Sequence, residues 1–110
     1  MLEAHVERFN RGVRSGDFEP MLAAFAPEAE MVFEGVPAGP FLGLEAIATA
    51  YAVQPPTDEV LLLGPARDED GVTVGDYAWA TEGVRTGRML LSARDGLITR
   101  LVVTFEPPVG

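Results

Sequence analysis

The chain of 110 residues is long enough for one hydrophobic core, and we expect a single domain over residues 1–110. It contains no cysteine, which excludes disulfide frameworks, thiolate metal sites and cysteine nucleophiles. Its net charge of −9 makes a nucleic-acid phosphate backbone an unfavourable partner.

The types of basic residue exclude further classes of catalytic and binding chemistry. All 8 are arginines, so lysine Schiff-base chemistry and a phosphate-binding lysine are excluded. With His5 as the only histidine, we expect no transition-metal site. No apolar run reaches the roughly 18 residues of a membrane span, and the first residues lack the basic and apolar regions of a signal peptide. We therefore expect no membrane partner and a cytoplasmic location.

The first elements along the chain are predicted to be two helices. Apolar residues recur every three or four positions from Leu2 to Val13, which predicts an amphipathic helix. Gly16 can end that helix in the left-handed conformation, and Asp17 can cap the next one. The second helix is expected at about residues 18–25, with Pro27 stopping it.

The middle of the chain changes character. Residues 30–34 predict a strand, and residues 35–43 predict a loop because they are rich in glycine and proline. Residues 44–53 predict a third helix with one apolar side.

The last half is predicted to be strand. Strands are expected at residues 59–63, 72–81, 85–94 and 97–105 from their aliphatic, aromatic and threonine content. The Asp95-Gly96 pair is a strong hairpin signal, so the last three strands should form an antiparallel meander. This order of elements predicts an α+β fold with helices on one face of a curved sheet.

Three motifs, in this order, carry a resemblance over essentially the whole chain. They are residues 15–18 (SGDF), residues 25–29 (FAPEA) and residues 43–47 (GLEAI). With the long strands that follow, the chain resembles the nuclear transport factor 2-like superfamily, which includes ketosteroid isomerase and SnoaL-like polyketide cyclases. The resemblance implies a cone-shaped, curved mixed sheet packed against three N-terminal helices, a pocket between them, and a homodimer formed through the other face of the sheet.

The resemblance also suggests a catalytic base. Ketosteroid isomerase uses an aspartate base with an oxyanion hole made of a tyrosine and a protonated aspartic acid. Counting back from Gly43 places the base at Glu34, whereas counting forward from Phe25 places it at Phe33, so the strand register stays open. We favour Glu34 because a carboxylate in an apolar mouth has a raised pKa that suits proton abstraction. The alternative is that Glu34 is a solvated acid at a strand end.

The two oxyanion-hole residues of ketosteroid isomerase have no equivalents in this sequence. The tyrosine position matches Phe9, and the position of the protonated acid matches Arg88. An inward Arg88 would pair with Glu34, stabilise an enolate or bind a substrate carboxylate; otherwise it is an exposed strand arginine. Steroid isomerisation by the known mechanism is therefore not expected.

Aromatic residues are candidates for the pocket wall. Trp79 shares a strand face with one of the two tyrosines, and the resemblance places the other tyrosine near the catalytic site. The alternative is that the aromatic side chains only fill the core, which we favour for the two helix-proximal phenylalanines. The candidate ligand-binding residues are Tyr51, Tyr77, Trp79, Phe105, Phe9 and Phe25.

Two further features have competing interpretations. His5 is either a general base paired with a nearby acid or a histidine on the helix surface, which we favour. Residues 68–71 (DEDG) lack the spacing of a calcium loop and are interpreted as a turn.

Three functions remain compatible with these residues. The first is a cofactor-free isomerase, cyclase or hydratase that acts by proton transfer on a small apolar carbonyl compound, and it requires Glu34 to face the pocket. The second is a non-catalytic module that binds a small apolar ligand, for which Glu34→Gln leaves affinity unchanged. The third is a dimerisation domain with a filled core, whose cavity would be much smaller than about 300 Å³.

Overall fold

A computed structural model describes residues 1–107; residues 108–110, which the single-domain prediction included, lie outside the described range. Three helices span Leu2–Ser15 (α1), Glu19–Leu22 (α2) and Leu44–Val53 (α3). Seven strands span Phe25–Glu34 (β1), Phe41–Leu42 (β2), Val60–Leu62 (β3), Arg67–Glu69 (β4), Val72–Trp79 (β5), Arg85–Arg94 (β6) and Leu97–Thr104 (β7).

The strands form one curved, mixed sheet. Its order is β2-β1-β7-β6-β5-β3, with β4 also paired to β5. β1 runs parallel to β7, and the other pairings are antiparallel, including the predicted meander of β5, β6 and β7. The helices pack against one face of this sheet, which we call the inner face; the opposite face is the outer face. The predicted α+β fold is therefore confirmed.

The end of α1 follows the predicted chemistry, whereas the N-cap of α2 is Phe18 rather than Asp17, which lies one residue earlier. Gly16 has a φ of 82° and donates its backbone N–H to Gly12 O, which closes α1. Asp17 Oδ1 accepts the backbone N–H of Glu19 at 3.0 Å at the start of α2. The stripe of α1 packs onto the inner face through Leu2, Val6 and Phe9.

The second helix is much shorter than predicted. It ends at Leu22, and the chain enters β1 at Phe25, whose register partner is Ile98 of β7. Pro27 lies inside β1 rather than at a helix end. The pairing with β7 shifts register between Phe25 and Glu30, so the missing N–H of Pro27 falls where the ladder is already interrupted.

Alternation along the strands assigns their side chains to the two faces. On the inner face, Phe33 lies beside Val103 of β7, and Val103 lies beside Met89 of β6. On the outer face, one row across β1, β7, β6 and β5 is apolar. This outer row consists of Val32, Val102, Leu90 and Val74.

Candidate functional site

A cavity of about 340 Å³ opens between the inner face of the sheet, α3 and the loop before β2. This volume lies at the lower end of the roughly 300–1,000 Å³ of ligand sites and above what a filled core would leave. Among residues 1–107, its walls carry no acidic, basic or imidazole side chain. They are formed by Phe9, Met31, Phe33, Ala38, Phe41, Ala50, Tyr51, Val53, Gln54, Pro56 and Trp79.

Aromatic rings give the cavity its shape. Tyr51 projects from α3 and packs edge-on against Phe9 of α1, with 6.5 Å between the ring centroids. Its other ring contact is Phe18, at 5.1 Å. Across the cavity, Phe33 of β1 contacts Phe41 of β2 edge-on at 6.0 Å. Rings from helices and sheet thus meet around one apolar space.

The hydroxyl of Tyr51 is a polar group with a weak partner. It donates to the thioether Sδ of Met31 at 3.9 Å, and thioether sulfur is a poor acceptor. Burial raises the pKa of Tyr51, so the hydroxyl stays protonated. A ligand carbonyl in the cavity would offer this proton a stronger acceptor.

Three of the six aromatic residues predicted to bind ligand line the cavity: Tyr51, Trp79 and Phe9. Phe9 was expected only to fill the core, so its place in the wall is a correction. Phe105 packs behind Trp79, with 6.3 Å between the ring centroids, and does not line the cavity.

The other two predicted ligand-binding residues lie in the core. Tyr77 is fully buried, and its hydroxyl donates to Thr104 O at 2.9 Å, so its polar end is already satisfied. Phe25 packs under α1 against His5, with 5.7 Å between the rings. Neither contributes to the cavity wall.

Glu34 and Arg88 lie on the outer face, which corrects the expectation that Glu34 stands at the pocket mouth. Because Phe33 points into the cavity, its neighbour Glu34 points away from it. Of the two registers left open by the sequence, the one with Phe33 facing the pocket is correct. A strand cannot turn both residues to the same face without a bulge between them, and the pairing with β7 is regular from Glu30 to Glu34.

The ion pair expected of an inward Glu34 and an inward Arg88 does not form, and Arg88 is the strand arginine of the alternative interpretation, outside the pocket. Within the described range, Glu34 has no ion-pair partner, and the Nε of Arg88 lies 3.8 Å from Glu106. Glu106 is held instead by Arg85 at 3.1 Å, and Arg85 also contacts Asp76 at 3.1 Å. The hydrogen bond from Arg85 is the main cause that lowers the pKa of Glu106. These ion pairs join residues on the outer face, and none of their members lines the cavity.

His5 is buried, contrary to the expectation of a surface histidine. Only 2% of the residue is exposed, and its Nδ1 has no hydrogen-bond partner among residues 1–107. Desolvation, with a smaller contribution from the charge of Arg8, lowers the pKa of His5 to about 4. The imidazole is therefore neutral near pH 7, and it does not line the cavity.

The described residues offer neither a metal-binding cluster nor a helix that could span a membrane. No group of three or more His, Asp or Glu side chains lies close enough to hold a metal ion in the part of the chain that the structure describes. No helix in that same part is long and apolar enough to cross a membrane.

Several solved structures share this architecture. An NTF2-like protein of unknown function from Burkholderia xenovorans LB400 has a TM-score of 0.72 and 13% identity, covering 98% of this chain and 84% of its own. An NTF2-like protein of unknown function from Cytophaga hutchinsonii has a TM-score of 0.69 and 17% identity, covering 97% and 91%. The Δ5-3-ketosteroid isomerase from Mycobacterium sp. has a TM-score of 0.64 and 24% identity, covering 90% and 88%.

At these identities the likeness concerns the fold. The chain has the nuclear transport factor 2-like fold, as its three motifs predicted. No family model and no curated protein matches the sequence.

Proposed function

We propose that this protein is a non-catalytic module that binds a small, neutral, apolar molecule in the cavity between α3 and the inner face. The observation that carries the proposal is the cavity wall, which is apolar and aromatic and includes no acid, base or cation among residues 1–107. A ligand pocket of mostly hydrophobic lining with a few polar groups is the common form of small-molecule sites.

Tyr51 is proposed to orient the ligand. Its buried hydroxyl has a thioether as partner, so a ligand carbonyl or ether oxygen would gain a stronger hydrogen bond than the one it replaces. The absence of cations from the wall formed by the described residues disfavours anionic ligands. The expected ligand is therefore neutral and carries a hydrogen-bond acceptor.

The proton-transfer enzyme that we considered from the sequence loses its base in this arrangement. It required Glu34 at the pocket mouth, and Glu34 belongs to the other face of the sheet. Tyr51 is protonated and therefore unsuited to abstract a proton near pH 7.

The proposal is tested by titrating butyrophenone, a neutral aromatic ketone, while recording the fluorescence of Trp79, the only tryptophan in the chain. We expect saturable quenching because Trp79 lines the cavity. Tyr51→Phe should weaken the affinity by roughly two- to tenfold, which corresponds to one neutral hydrogen bond.

Glu34→Gln is the matched control, because it changes a polar group on the outer face and should leave the affinity unchanged. Absence of saturable quenching, or loss of binding in Glu34→Gln alone, would contradict the proposal.

We also propose that the protein forms a homodimer through the outer face. The apolar outer row is flanked by residues of both signs, including Glu34 and Arg88 on one side and Glu30 and Arg100 on the other. A two-fold symmetric contact needs such a self-complementary surface. A cytoplasmic location stays a prediction from the sequence.

A further inference from the structure

We propose that the ligand is longer than the cavity and that its apolar tail leaves along a groove on the outer side of α3. This inference rests on the proposed function and specifies its ligand as a neutral molecule with an alkyl or isoprenoid chain. The tail groove is lined by Phe41 and Leu42 of β2 and by Glu45, Ala46, Thr49, Ala50 and Val53 of α3.

The composition of α3 is the first observation. An amphipathic surface helix has one apolar side that faces the core, whereas the apolar surface of α3 extends further around the helix. Ile47 and Tyr51 face the core and the cavity, Ala50 and Val53 line both the cavity and the groove, and Ala46 lines the groove alone. Glu45 is the only charged residue in the helix. The part of this apolar surface that lies beyond the core is available for a partner.

Exposure of large apolar side chains is the second observation. Leu42 is 64% exposed and Val53 is 79% exposed, and both lie on this groove. Clustered exposed apolar residues indicate a surface that is covered when the protein functions.

Continuity between the groove and the cavity identifies the occupant. Phe41, Ala50 and Val53 line both spaces, so an apolar path runs from the cavity mouth into the groove. A chain that begins beside Tyr51 can therefore continue outward along apolar side chains that the two spaces share, with Glu45 as the one charged residue of the groove lining. A second copy of the protein fits less well here, because the groove lining offers the carboxylate of Glu45 and no cation for reciprocal pairing.

The test is a series of phenyl ketones from acetophenone to decanophenone, titrated by the quenching of Trp79. The short ketones test the cavity, and the increase in affinity with chain length tests the groove. Full burial of a methylene raises affinity about fourfold, so a half-covered groove should give roughly twofold per methylene. We expect this increase to continue beyond the chain length at which the cavity is filled.

Two variants assign the increase to the groove. Leu42→Ser removes a groove wall that does not line the cavity, and Ala46→Gln places a polar side chain in the groove. Both should reduce the gain for long ketones and leave acetophenone binding unchanged. Leu61→Ser is the matched control, since Leu61 is an exposed leucine on β3 outside the groove.

Each other outcome overturns the inference in a distinguishable way. If short ketones bind and longer ones gain nothing, the ligand tail does not use the groove, and the proposed function stands. The same holds if the gain survives in both groove variants. If Leu42→Ser and Ala46→Gln both change the oligomeric state, the groove is a contact between copies. If no ketone binds, the proposed function and the inference fail together.

Discussion

His5 gives the clearest expectation for a single residue. Its imidazole is buried, and its pKa is lowered from 6.5 to about 4, so the unfolded chain binds a proton that the folded protein excludes between these values. The contribution is fully present above pH 6.5 and is lost as the pH falls toward 4. We predict that the free energy of unfolding contributed by this group drops by about 3 kcal/mol over that interval.

The measurement is urea unfolding at a series of pH values for the wild type and for His5→Leu. Carboxylates titrate in both proteins, so the difference between the two curves isolates the histidine. We expect that difference to change between pH 6.5 and 4 and to be flat above pH 7. A parallel pair of curves would show that folding does not lower the pKa of His5.

At the cavity, the predicted aromatic residues differ in what supported them and in where their polar ends lie. The family resemblance placed Tyr51 near the site, whereas Trp79 was a candidate because its polar end needs a partner when buried, and both line the cavity. Tyr77 has the same need but meets it with Thr104 O. That partner is 27 positions away in the sequence and depends on tertiary packing.

Among the elements, β1 was assigned the wrong register because counting from a flanking motif was preferred to the alternation of its own residues. Residues 30–34 (EMVFE) alternate so that Glu30 and Glu34 share one face while Met31 and Phe33 share the other. Alternation alone therefore favours the alternative interpretation, in which Glu34 is a solvated acid. Counting back from Gly43 placed Glu34 in the pocket and counting forward from Phe25 placed Phe33 there, and a shift of one residue reverses every face of a strand.

Short elements were missed for a different reason. β2 has 2 residues and β4 has 3, too few for a period of two to be recognised. The pairing of β2 with β1, Met31 opposite Phe41, nevertheless brings two cavity walls together. By contrast, α3 and β6 match the predicted bounds, since both have 10 residues, enough for their periods to be recognised.

A substitution in the outer row of the sheet tests the proposed homodimer. Leu90 lies in that row between Val102 and Val74, so Leu90→Glu would place a carboxylate in the proposed dimer contact. We expect light scattering to give twice the chain mass for the wild type and one chain mass for Leu90→Glu.

Val84→Glu is the control, because Val84 is exposed in the turn between β5 and β6 and lies outside the row. A monomeric wild type, or a Leu90→Glu variant that stays dimeric, would refute the proposed interface.

For the whole molecule, the order of motifs predicted the fold because each marks a change of direction that the backbone must make. Gly16 ends α1 in the left-handed conformation, and Gly43 precedes α3 with a φ of 93°. Function is less determined by such positions. Whether the cavity contains an acid depends on which face of the sheet Glu34 occupies in β1. The order of the motifs does not specify that face.

The central claim is that the ligand occupies the neutral cavity on the helix side of the sheet and not the charged outer face. The most direct measurement is a crystal structure of the protein with para-bromobutyrophenone, locating bromine by anomalous scattering. We predict a bromine site in contact with Trp79 or Phe33 and the ketone oxygen within hydrogen-bonding distance of the Tyr51 hydroxyl. A bromine site beside Glu34 and Arg88, with the cavity empty, would contradict the account.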